Sequence, residues 1–101
     1  MKFDLLGMDF KGLENKKQNV FYQNDLFKTR VIKLKSGGEI PSCDMKDYVI
    51  FNVIKGEVTI FKNDDKYELQ AGDTFIAEPA IIGMKTDTGV RLMGIQIVDR
   101  K

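Results

Sequence analysis

The run GGEIPSCDMKDYVIFNVIKGEVTIF, Gly37 to Phe61, decides how this chain folds. Within it Tyr48 to Ile54 (YVIFNVI) is dense in β-branched and aromatic residues and too short for a typical helix, which predicts a strand buried over much of its surface. Lys55 and Gly56 predict a turn, and Glu57 to Phe61 (EVTIF) then reads as a second strand. Alternation sends Val49, Phe51 and Val53, together with Cys43 and Met45 upstream, to one face that is expected to point inward.

Outward from this run the pattern stays that of short strands. KNDDK is a polar hairpin turn and KYELQ the return strand, so that three runs would form a meander. Upstream, FKTRVIKLK (27–35) mixes polar and apolar residues at a period near two, as a strand with one wet face does, and SGG ends it. Downstream, AGD turns, TFIAE is a strand closed by Pro79, TDTG turns again, and VRLMGIQIV is the last strand. Regular short strands separated by turn residues predict an all-β sandwich or barrel. Only residues 1–26 differ and are expected to form an N-terminal arm, with one helical turn allowed within GLENKKQNV; residues 27–101 form the barrel domain. Phe3, Leu5, Leu6, Met8 and Phe10 of the arm need burial, against an edge strand or a second subunit.

Composition narrows the function. A chain of 101 residues holds one core. Its 16 Lys and Arg nearly balance 15 Asp and Glu, which argues against a nucleic-acid surface or a polybasic membrane contact. Apolar runs such as YVIF are far shorter than the roughly 20 residues that span a bilayer, and MKFDLLGMDF lacks the pattern of a signal peptide. A soluble, cytoplasmic protein is therefore expected. The single Cys43 agrees with a reducing compartment, and the absence of histidine excludes imidazole metal ligands and His-based catalysis.

The spacing resembles that of the small single-domain cupins, whose first motif runs Gly, five residues, His-x-His, three or four residues, Glu, six residues, Gly. Gly37 opens the matching stretch, Cys43 and Met45 take the two histidine places, Val49 the glutamate place, and Gly56 closes it. The second motif is matched by GDTFIAEPAIIGMKTD: Gly72 comes first, Glu78-Pro79-Ala80 stand in the Pro-x-Gly place, Gly83 in the last histidine place and Asp87 in the asparagine place. The resemblance covers about Phe27 to Val98 and implies a cupin-type jelly-roll β-barrel, a double-stranded β-helix. It also implies that the usual metal ligands have been replaced, so no metal and no cofactor is expected.

Residues at the inferred mouth and lining are then Cys43, Met45, Val49, Phe51, Glu78, Gly83, Met84 and Met93. Cys43 and Met45 are expected to be buried apolar fillers; the alternative is a soft Cu(I) site needing a third ligand from Met84. Glu39, Asp44, Asp47, Tyr48 and Glu78 flank the pocket, with Glu78 at the rim the best placed for proton chemistry. Arg30 and Arg91 would recognise an anion if they pointed inward, and are surface groups otherwise. The expected function is a metal-free domain that binds a small molecule in the barrel or acts as a sensing or structural homodimer. The alternative is a metal-independent isomerase, epimerase or lyase acting on a sugar or related carbonyl compound.

Overall fold

The structure, a computed structural model, describes residues 1–7 and 19–98. Most of the segment in which a helical turn was allowed, and both Met8 and Phe10, lie outside the described residues. The rest is β-structure in eight strands: β1 Val20–Gln23, β2 Phe27–Leu34, β3 Glu39–Met45, β4 Tyr48–Lys62, β5 Asp65–Gln70, β6 Thr74–Ala77, β7 Ala80–Lys85 and β8 Val90–Ile97. All pairings are antiparallel.

The long strand β4 organises everything else. Its first half pairs with β8 and β6, and its second half with β5 and β7. One sheet therefore holds β1, β2, β8, the start of β4 and β6; the other holds β5, the end of β4, β7 and β3. Lys55 and Gly56 are thus not a turn between two strands, and the expected three-stranded meander is not formed. They stay paired with Arg91 and Val90 of β8, just past a β-bulge at Ile54 where the register shifts between Val53 and Lys55, and Gly56 takes φ 89°. The bulge shows in the burial pattern: odd positions Val49, Phe51 and Val53 are buried before it, even positions Val58 and Ile60 after it. One extra residue shifts the inward positions from odd to even, so that apolar side chains stay on the core side as the strand passes from one sheet into the other.

The core fills the space between the two inner faces. Ile32, Leu34, Val49, Phe51, Val53, Val90 and Leu92 come from the first sheet, and Val58, Ile60, Leu69, Ile82 and Met84 from the second. Along one side the sheet edges are joined by aromatic rings, Phe51 to Phe75 at 6.5 Å and Phe75 to Tyr67 at 5.1 Å. At the other side residues of β2 and β3 border one cavity. The edge strand β1 lies within the range expected for the arm, and its Phe21 ring meets Phe3 at 4.8 Å.

Glu57, just past the bulge, secures the turn before β8. Its Oε1 accepts from the Thr86 hydroxyl at 2.9 Å, the Asp87 amide at 2.9 Å, and the Thr88 amide and hydroxyl both at 3.0 Å. These bonds, that from the Thr88 amide first, hold the carboxyl below its ordinary pKa. A depressed folded-state pKa contributes stability above the unfolded-state value, and that contribution is lost as pH falls through the folded-state value. Glu57→Gln is expected to cost roughly 1 kcal/mol at pH 7, a small figure because the group is partly solvated. Urea unfolding checks this: the gap between wild type and variant should close on acidification below about pH 4.

Candidate functional site

Strand alternation decides which side chains reach the barrel interior. On β2, Ile32 and Leu34 belong to the core, so Arg30, of the same parity, lies on the inner face. On β8 the core residues Val90 and Leu92 place Gly94 and Gln96 inward. Register aligns Arg30 with Gly94, Gly94 with Phe51 and Phe51 with Phe75, a row running across four strands. Gly94 keeps that row open: a Cβ there would sit 3.2 Å from Phe51 Cε1 and 3.6 Å from Arg30 Cγ.

Between the sheets lies a cavity of about 90 Å³. Arg30, Ile32, Val49, Phe51 and Gln96 approach it from the first sheet, and Ile40, Cys43, Met45, Ile82 and Met84 from the second. The lining is apolar except for Arg30, Gln96 and the Cys43 thiol. Six of the eight residues expected at the site are brought together here: Cys43, Met45, Val49, Phe51, Gly83 and Met84. Glu78 and Met93 are not. Glu78 is exposed between β6 and Pro79, outside the lining. Met93 has the opposite parity to Leu92, so it lies on the outer face of its sheet.

Two of the six differ from expectation in detail. Cys43 is exposed, not buried, because β3 is an edge strand with a register shift between Ile40 and Cys43, which leaves the thiol at the cavity rim. Gly83 contributes no inward side chain, because the inward positions of β7 are Ile82 and Met84. A Cβ on Gly83 would run into Ser42, 2.9 Å from its amide nitrogen and 3.0 Å from its Cα.

Arg30 sets the electrostatics. Its Nη2 donates to Gln96 Oε1 at 3.2 Å, while Gln96 Nε2 donates to Asp47 Oδ2 at 2.6 Å. Asp47 thereby orients the amide so that its oxygen faces the guanidinium. Burial lowers the Arg30 pKa, an effect partly offset by its electrostatic interaction with the nearby Cys43 side chain. The group nevertheless stays charged. Among the described residues no carboxylate lies within ion-pair distance of it. Arg30 was singled out in the sequence only on condition that it pointed inward; its parity with Ile32 and Leu34 is consistent with that, but Val31 of the opposite parity is buried as well, so the sequence did not settle it. Arg91 is an outer-face group, whose Nη1 donates to the carbonyls of Leu5 at 3.0 Å and Leu6 at 2.6 Å and so holds the N-terminal residues.

The donor set does not fit a cupin metal. Among the described residues no cluster of three or more His, Cys, Asp or Glu is placed to hold an ion. Around the cavity there is a thiol at the rim, thioethers and aliphatic groups, which leave a hard or borderline cation without ligands.

No protein-family model and no curated protein matches the chain. Solved structures do. A RmlC-like cupin protein from Desulfovibrio desulfuricans superposes with TM-score 0.78 at 16% identity, over 96% of both chains. A cupin superfamily protein from Desulfitobacterium hafniense gives 0.75 at 16% identity, over 79% of this chain and 74% of that one. A conserved protein with a double-stranded β-helix domain from Klebsiella pneumoniae gives 0.71 at 23% identity, over 77% and 72%. The fold is therefore that of a small cupin domain, an all-β double-stranded β-helix.

Proposed function

We propose that this cupin domain is a metal-free binding module that takes a small, partly apolar molecule into the barrel. The observation that carries this is the open cavity between the sheets, lined by Met45, Met84, Val49, Phe51 and Ile82 with a few polar groups. Thioethers adapt to ligand shape, and the polar groups fix orientation. The alternative of a metal-independent isomerase or lyase needs an acid and a base at the reacting centre, whereas among the described residues no carboxylate and no tyrosine lines the cavity. A free thiol at the rim suits a reducing cytoplasm.

The module works as a homodimer in this proposal, through the outer face of the first sheet. There Ile76, Ile50 and Ile95 stand in one row across β6, β4 and β8, with Tyr48 paired to Ile97 beside them. Ile76 is 67% exposed, and an apolar row of this kind favours a protein contact. Occupancy of the cavity is tested by the methyl resonances of its two methionines, Met45 and Met84.

A further inference from the structure

Resting on that proposal, we infer that the ligand is a small organic monocarboxylate whose carboxylate pairs with Arg30 and whose apolar body lies against Met45, Phe51 and Met84.

Three observations lead there. Arg30 stands on the inner face of β2, in a lining that is otherwise almost wholly apolar. Its only side-chain partner among the described residues is the Gln96 carbonyl oxygen, a neutral acceptor. Among the described residues the remaining guanidinium N–H groups have no protein acceptor, so they are free to meet a ligand from the cavity side, in a place where partial burial disfavours the charge. A planar carboxylate matches the guanidinium fork with two parallel bonds and supplies the missing charge.

The same features limit what the anion is. Among the described residues Arg30 is the only cationic one lining the cavity, so a doubly charged phosphate would be left half compensated. Gln96, locked by its 2.6 Å bond to Asp47, presents oxygen to Arg30 and holds the guanidinium plane in position. A cavity of about 90 Å³ has room for roughly six to nine heavy atoms. A side chain at position 94 would press on Phe51 Cε1 at 3.2 Å and on the Arg30 stem at Cγ, 3.6 Å away, so Gly94 lets both side chains keep their places beside the cavity.

The experiment is calorimetric titration of the full chain with 3-methylbutanoate and with 3-methylbutanamide, which share a shape and differ in charge. The carboxylate is expected to bind at least about 10-fold more tightly than the amide. Arg30→Gln should abolish that preference without weakening the amide, and Arg30→Lys should retain part of it, which separates a charge contact from a folding defect. Rapid alkylation of Cys43 at the rim should be slowed by bound carboxylate in the wild type and not in Arg30→Gln. Equal affinity for acid and amide would overturn the inference and leave the apolar cavity as the binding site. Failure of both to bind, with Cys43 unprotected by either, would overturn the binding proposal as well.

Discussion

Gly56→Ala is expected to cost about 3 to 4 kcal/mol of unfolding free energy, the largest loss of any single methyl addition to the glycines among the described residues. Two costs add. At φ 89° an alanine sits in a region that L-residues with a Cβ rarely adopt. Its Cβ would also meet the Gly89 carbonyl oxygen, and would lie 3.0 Å from Val90 Cα. Both contacts are backbone, so no side chain can swing aside to relieve them. Relief requires β4 to part from the start of β8, next to the row in which Leu34 pairs with Val90 and Val90 with Gly56. Urea unfolding measures the effect. A loss under about 1 kcal/mol would mean that the bulge does not carry the bend between the sheets.

Gly83→His is the second. It restores a histidine at the place that the cupin resemblance assigns to a ligand, yet it is expected to cost about 2 to 3 kcal/mol and to add no affinity for Mn or Zn. The cost follows from Ser42, whose main chain on the edge strand β3 lies within 3.0 Å of where the Cβ must go. The missing affinity follows from parity: Ile82 and Met84 point inward, so residue 83 does not. Urea unfolding gives the first quantity and calorimetric titration with each metal ion the second. A stable variant that binds one ion per chain would show that β7 presents residue 83 to the cavity after all.

Most of the architecture was legible because strand alternation is a local property. Val49, Phe51 and Val53 were assigned inward from spacing alone, and all three are buried. The bulge was missed because Lys55-Gly56 has the composition of a turn, and turn and bulge use the same freedom at glycine; only the partner strand distinguishes them. Cys43 was misjudged for a related reason. Its parity matches Met45, but its exposure depends on β3 lying at a sheet edge, which is a consequence of topology. Arg30 was ambiguous because Val31, of opposite parity, is also fully buried, so both faces of β2 are covered and amphipathicity does not mark the inner one. Leu5 and Leu6 are tied by their carbonyls to Arg91, a group of the same outer face.

The central claim is that the barrel cavity is the ligand site, and the five methionines test it directly. Protein carrying 13C-labelled methionine methyl groups is titrated with 3-methylbutanoate and followed by NMR. Met45 and Met84 line the cavity, Met93 lies on the opposite face of its sheet, and Met1 is 94% exposed. The Met45 and Met84 resonances should shift together along one saturating curve, while Met93 and Met1 stay in place. Shifts at Met93 without shifts at Met45 and Met84, or no shift anywhere at saturating probe, would contradict the claim.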